Sequence, residues 1–361
     1  MLIKDGKVIQ NIEETFKPTV EKYDDRTDPK WHHPDLRDNL ALDQSHIYGL
    51  NDPAISREER VKRNEKWETD TVSMLPPPDT ETVTRECHII DGLKEGDPRI
   101  KVYIIKPKNT RKKRLPVLFG FGEGAMINNR YETLSATFDS FAPRWNCAVV
   151  FTEAKSAIQA YYPAPLDDYE AAFRWMCEHA DELGLNTKNI VLYGESGGGY
   201  TVVSFAFRCK RLGFDPKGCM ACEPILTDLM VHPSSRIVAG CWDALDVHRT
   251  FQMCIRPADQ FSPFVGPEII PARASVEDCV GLCPMYLHAM EMDSDRNSTM
   301  AFAEKLYEAK VFTQVHVWGG TAHGGLLLSQ PSPIKNAYEA VRDAEIGDLF
   351  RYDLRRPWTK E

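Results

Sequence analysis

Between Asn189 and Tyr200 the chain reads Asn-Ile-Val-Leu-Tyr-Gly-Glu-Ser-Gly-Gly-Gly-Tyr, an apolar run that reaches Ser196 through Gly194 and leaves it through three glycines. A strand that turns into a helix this abruptly holds its central residue in strained backbone, and neighbours without Cβ atoms let the two elements approach closely. Such an elbow needs a buried strand before it and an apolar-periodic helix after it, and the sequence supplies both. Ser196 Oγ would stand exposed above the sheet, at the positive end of the helix that it opens. The N–H of Gly197 has no intrahelical partner there and can face a developing oxyanion. By chance alone the pattern Gly-x-Ser-x-Gly, which Gly194 to Gly198 fit, occurs in roughly one chain in ten of this length. The rest of the sequence therefore decides.

Eight segments read as strands: Cys87 to Ile90, Ile100 to Ile105, Val117 to Phe121, Cys147 to Phe151, Ile190 to Tyr193, Cys219 to Cys222, Met285 to Ala289 and Gln314 to Trp318. From the third onward, helical patterns intervene. Asp167 to His179, Gly198 to Lys210, Ser298 to Ala309 and Ile334 to Ala344 show the three-to-four residue apolar spacing of helices packed on a sheet. Early hairpins followed by this alternation predict an α/β fold, a mostly parallel eight-stranded sheet with helices on both faces. Sites in such sheets form outside the carboxyl ends of strands, where Ser196 lies.

Residues 1–80 differ in character, being polar and punctuated by aromatics, and the change suggests a boundary near Pro76-Pro77-Pro78. Residues 1–80 then form an N-terminal arm and 81–361 the main domain. In the arm, Ser56-Arg57-Glu58-Glu59 resembles a capping box that opens a charged helix towards Trp67, and a contribution to a cap is expected from it. Trp31, His32 and His33 are read as packing of this arm rather than as substrate contacts.

At 361 residues and 42% hydrophobic content the chain can bury a sizeable core. A net charge of −9 argues against nucleic acid as partner, because that partner demands a basic face. Arg111 to Arg114, the basic cluster, reads as a solvated hairpin turn. No apolar stretch approaches membrane-spanning length, and no secretory pattern opens the chain, so a cytoplasmic protein is expected. The ten cysteines then remain thiols. Cys219 and Cys222, joined with Cys279 and Cys283, could hold zinc, but strand alternation puts the first two on opposite faces and favours plain packing.

A serine hydroxyl at neutral pH needs a base to take its proton, and the base needs an orienting carboxylate, in the chain order Ser, acid, His. After the seventh strand comes Glu291-Met292-Asp293-Ser294-Asp295, and after the eighth Gly319-Gly320-Thr321-Ala322-His323-Gly324-Gly325. His323 lies in a loop of small residues, whereas His288 and His316 fall inside strands, so His323 is the base. Asp293 leads among the acids. Asp295 suits a helix cap, and Glu291 still belongs to the strand's end.

From about Pro116 to Gly324 the chain resembles the hormone-sensitive-lipase-like branch of α/β-hydrolase carboxylesterases. The landmarks are Pro163-Ala164-Pro165-Leu166-Asp167-Asp168-Tyr169-Glu170-Ala171-Ala172-Phe173-Arg174-Trp175, the elbow, Phe261-Ser262-Pro263-Phe264 and Phe302-Ala303-Glu304-Lys305-Leu306. The resemblance implies Ser196 as nucleophile, Asp293 as orienting acid, His323 as base, and a helical cap built from the arm and an insertion at about 226–261. Where that family carries His-Gly-Gly-Gly, this chain has Gly122-Glu123-Gly124-Ala125. Backbone N–H groups of Gly124, Ala125 and Gly197 would form the oxyanion hole. Glu123 is out of place there, since a carboxylate repels a forming oxyanion. Phe151-Thr152-Glu153-Ala154-Lys155-Ser156 likewise replaces the family's Tyr-Arg-Leu-Ala-Pro-Glu, which implies a remodelled pocket.

The resulting expectation is hydrolysis of a small or medium carboxylic ester through an acyl-enzyme, with no metal or organic cofactor. Acyl transfer, amide or lactone cleavage by the same triad, and ligand binding without chemistry, remain open alternatives. Glu123, Tyr200 and Trp242 are candidate substrate contacts, and Phe121, Tyr131 and Phe264 are further aromatics that could line a pocket. The oligomeric state, a homodimer among the options, is not legible in the sequence.

Overall fold

A computed structural model describes residues 3–4, 7–8, 32–39, 50, 55–122, 124, 126–229, 232–236, 254–259, 262, 264–326 and 330–355. Eight strands form one sheet: β1 (Val83–Ile90), β2 (Ile100–Pro107), β3 (Leu115–Gly120), β4 (Ala148–Glu153), β5 (Leu185–Glu195), β6 (Gly218–Cys222), β7 (Met285–Met290) and β8 (Thr313–Trp318). All eight strand expectations meet a strand. Their spatial order is β1-β2-β4-β3-β5-β6-β7-β8. The contacts among β3 to β8 are parallel, while β2 pairs antiparallel with both β1 and β4. A separate antiparallel ribbon joins Ile3–Lys4 to Lys7–Val8.

The order corrects one expectation. Arg111 to Arg114 are exposed as foreseen, yet they do not form a hairpin turn, because β4 lies between β2 and β3. The segment is a crossover, anchored where Lys112 donates to the Asn146 carbonyl at 3.2 Å.

Among the described residues, seven α-helices accompany the sheet: α1 (Arg57–Met74), α2 (Tyr131–Trp145), α3 (Ala164–Glu178), α4 (Gly197–Leu212), the single turn α5 (Val276–Cys279), α6 (Arg296–Glu308) and α7 (Pro333–Arg351). Ser56 caps α1 by accepting the Glu59 N–H at 3.1 Å. α2 escaped the sequence reading. Its apolar stripe of Leu134, Phe138 and Phe141 is interleaved with Ser and Thr, and Pro143 occupies its last turn. Asn146 ends the helix in left-handed backbone, φ 47°, and its N–H is donated to the carbonyls of Ala142 and Pro143.

Alternation along each strand splits the interior in two. Phe119, Ile190, Leu192, Cys219 and Leu287 pack with Phe173, Phe205 and Phe302 from α3, α4 and α6. Leu118, Val191, Tyr193, Met220 and Cys222 pack with Phe138, Phe141, Tyr338 and Leu349 from α2 and α7. Both faces of the central strands are thereby dry, which their unbroken apolar runs required. Cys219 and Cys222 fall in different halves, so they cannot share a metal ion.

α1 packs on the loops that follow the carboxyl ends of β3 and β4. Asn64 Nδ2 donates to the Ile127 carbonyl at 3.2 Å, and Arg57 donates to the Ala157 carbonyl at 3.1 Å while lying 3.6 Å above the Tyr161 ring. A cavity of about 330 Å³ opens beneath it, lined by Asn64, Glu68, Arg130, Glu153 and Gln159 among others. Residues 32–39 pack elsewhere, with the His33 N–H donated to the Gly320 carbonyl at 2.8 Å and Asp35 accepting from the Ile334 N–H at 3.2 Å. Most of the expected cap insertion at 226–261 lies outside the described residues, as does Trp31. Among the described residues, no helix is long and apolar enough to cross a membrane.

Candidate active site

β5 delivers the chain to Ser196, whose backbone is held at φ 55°, ψ −118°. A non-glycine residue kept there costs on the order of 1–3 kcal/mol, which the surrounding structure has to offset. Close approach does so. A Cβ on Gly194 would lie 2.2 Å from the Gly198 carbonyl oxygen, and one on Gly198 would lie 2.7 Å from that of Gly122. The Ser196 N–H is donated to the Cys222 carbonyl at 2.8 Å, which ties the elbow to the end of β6.

Three side chains from the ends of β5, β7 and β8 meet in one line. Ser196 Oγ is 2.7 Å from His323 Nε2, and His323 Nδ1 is 2.7 Å from Asp293 Oδ2. The carboxylate on Nδ1 selects the tautomer in which Nδ1 donates and Nε2 accepts the hydroxyl proton. The other oxygen of Asp293 accepts from the Asp295 N–H at 3.0 Å. Glu291, the remaining acid of that loop, accepts from the Gly320 N–H at 2.6 Å and so steadies the turn that carries His323. Asp295 occupies the cap position of α6, but its side chain makes no capping bond; it is turned towards Ser294 and Ser298.

Sequence reasoning missed one residue here. Glu223 follows β6 and is buried, with Oε2 3.7 Å from His323 Nδ1 and accepting from the Gly324 N–H. A carboxylate directly at the carboxyl end of a central strand was the signal available for it. Burial pushes Glu223 up to about 7, and burial together with the charge of Asp293 does the same to Asp295. For His323, burial alone would lower the pKa. The charge and hydrogen bond of Asp293, with Glu223 and Asp295 behind, overcome it and raise the imidazole to about 9.

Of the residues expected around an oxyanion, Glu123 and Ala125 lie outside the described residues. Gly197 opens α4, so its N–H stands ahead of the intrahelical ladder. Gly124 adopts φ 66° in the turn after β3, and its carbonyl accepts from the Ile127 N–H at 3.0 Å. The Gly122 N–H is engaged with the Tyr169 hydroxyl at 3.0 Å.

Tyr200 is fully buried and donates its hydroxyl to the Ile269 carbonyl at 2.7 Å, beside the Tyr162 ring. Phe121 and Tyr131 are core residues too, whereas Phe264 is 94% exposed. Trp242 lies outside the described residues. In the remodelled stretch after β4, Lys155 pairs with the buried Asp168, and Glu153 accepts the Tyr131 N–H at 3.0 Å.

Away from this line, His288, His316 and Glu345 form a group with metal-ligand composition. Glu345 bridges the two imidazoles at 2.6 and 2.7 Å. Trp318 Nε1–H donates to His288 Nδ1 at 3.2 Å, which leaves the proton of the neutral ring on Nε2, facing Glu345. Burial holds His288 neutral by lowering its pKa to about 3. The group is thus a hydrogen-bonded chain joining β7, β8 and α7 rather than an open ligand set.

A serine at a strand-to-helix elbow, with its histidine and carboxylate arriving from later strands of a mostly parallel sheet, defines an α/β hydrolase. A family model described as "alpha/beta hydrolase fold" matches residues 119–327. The chain belongs to that family, in its hormone-sensitive-lipase-like branch. Among curated relatives, Esterase LipI of Mycobacterium tuberculosis is 25% identical over 218 residues, which span 58% of this chain and 65% of the relative. Lipase 2 of a Moraxella species is 26% identical over 311 residues, 74% of this chain and 70% of the relative. A solved structure titled "Bacterial Heroin Esterase" matches with a TM-score of 0.73 at 23% identity, covering 85% of this chain and 98% of the other. That likeness concerns the fold.

Proposed function

We propose that the protein is a serine carboxylesterase that hydrolyses a small or medium carboxylic ester through an acyl-enzyme. The observation that carries this reading is the 2.7 Å and 2.7 Å relay from Ser196 through His323 to Asp293. His323 Nε2 takes the hydroxyl proton as Ser196 Oγ bonds to the ester carbonyl carbon. The carbonyl electrons move to its oxygen, where the N–H groups of Gly197, Gly124 and Ala125 receive them. Collapse breaks the bond to the alcohol oxygen, which leaves with the proton from Nε2. Water then repeats the sequence on the acyl-enzyme and frees the acid. Asp293 fixes the tautomer and stabilises the imidazolium without taking the proton. α1 forms one wall of the cap over the substrate. Cys87, Cys147, Cys177, Cys209, Cys219, Cys222, Cys279 and Cys283 are free thiols, which supports a reducing, cytoplasmic setting.

Ser196→Ala is expected to lose at least about 10³-fold in kcat/KM on short acyl esters and all covalent labelling by a fluorophosphonate. Turnover and labelling at the parent rate in that variant would remove the proposal.

A further inference from the structure

His323 is faced by more negative charge than orientation requires. Asp293 and Asp295 approach from the loop after β7, and Glu223 approaches from the end of β6. Glu223 is the one with a route to Nδ1, the nitrogen that Asp293 already holds. Its backbone is fixed: φ is 50°, a left-handed value unusual for glutamate, and the Glu223 N–H is donated to the His288 carbonyl at 2.8 Å. The carboxylate is 4% exposed. A neutral amide would serve the bond to the Gly324 N–H equally well, so that bond alone gives no reason for a buried acid. The other charged groups acting on Glu223 are His323, Asp293 and Glu195, and of these His323 alone becomes positive.

We propose that Glu223 is a second orienting carboxylate for His323, a positioning residue that shares with Asp293 the imidazolium formed when Ser196 gives up its proton. This rests on the esterase reading of the same site. At 3.7 Å from Nδ1, against 2.7 Å for Asp293, Glu223 acts through its charge. If the Asp293 carboxylate is removed, a small rotation of the ring brings Glu223 within hydrogen-bond reach. Its burial-raised pKa of about 7 means that this support grows as the solution passes from acid to alkaline.

A double-mutant cycle tests the assignment. Loss of a sole orienting carboxylate costs about 10⁴ in kcat. With Glu223 in place, Asp293→Asn is expected to cost only about 10², Glu223→Gln a few-fold, and the two together about 10⁴, more than the product of the single losses. A double variant no slower than that product overturns the proposal. Glu223→Gln keeps the bond to Gly324, and its rising pH limb of kcat/KM should move towards acid by about one unit. A second readout needs no turnover. In the Ser196→Ala protein, NMR titration of His323 should give a lower pKa once Glu223→Gln is added, and an unmoved value overturns the proposal. Hydrolysis surviving in Ser196→Ala would instead defeat the reading of Ser196 as nucleophile, while the titration would still report on Glu223.

Discussion

At the scale of single residues, the site binds protons more tightly in the folded chain than in the unfolded one. His323 moves from 6.5 to about 9, and Glu223 from 4.5 to about 7. A pKa raised on folding contributes stability that is complete below the unfolded value and is lost as pH rises through the folded one. Glu223 therefore withdraws its contribution between about pH 4.5 and 7, and His323 between about 6.5 and 9. The base form of His323 gains population over the same upper range, so kcat/KM is expected to climb towards pH 9 while the melting temperature falls. Glu223→Gln removes a carboxylate whose ionisation burial opposes. At about 1.4 kcal/mol per unit, stability at pH 9 should rise by as much as about 3 kcal/mol relative to the parent, with little change at pH 4. Calorimetry at the two pH values checks this, and a variant that melts lower at pH 9 contradicts it. Activity and stability then oppose each other at one residue, as they do where function needs a buried charge.

Among elements, the elbow is where backbone geometry and chemistry are least separable. Gly194→Ala would put a methyl group 2.2 Å from a backbone oxygen of α4's first turn, and no side-chain rotation relieves that. Either the strand or the helix must shift, and a displacement of about 1 Å at Ser196, the proposed nucleophile, costs about 10²-fold. Kinetics and thermal melting of this variant should show both a loss of kcat/KM of that order and a loss of a few kcal/mol in stability. Intact activity would mean that the elbow is softer than its contacts imply. The same tightness is why this part of the fold was legible in the sequence: a strained serine needs glycines at fixed offsets, and buried parallel strands need unbroken apolar runs. That His323 and Asp293 meet Ser196 could be read because the order of strands fixes which loops lie beside the elbow. Glu223 could not, since one residue beyond β6 differs little in pattern from any strand-end acid until the fold turns it inward at φ 50°. α2 was obscured by Pro143, and the crossover at Arg111 to Arg114 by a sheet order that local sequence does not encode.

For the whole molecule, the sheet gathers its chemistry at one edge, where the carboxyl ends of β5 to β8 bring Ser196, Glu223, Asp293 and His323 together beneath a strongly acidic chain. Net charge of −9 sets up a negative potential around the protein, and the acids near His323 add to it locally. A substrate feels that field before it meets any pocket wall. For esters of equal acyl length, a cationic alcohol portion should therefore be favoured over an anionic one at low ionic strength, chiefly through KM. Salt distinguishes this long-range effect from direct contact. The Debye length shrinks from about 30 Å at 0.01 M to about 8 Å at 0.15 M, so the preference should fall several-fold across that interval if the field causes it. Steady-state kinetics with a matched cationic, neutral and anionic ester at both ionic strengths measure it. A preference for the anionic ester at low salt would place a positive group at the entrance strong enough to outweigh the whole chain, and a cationic preference indifferent to salt would locate discrimination in the pocket itself.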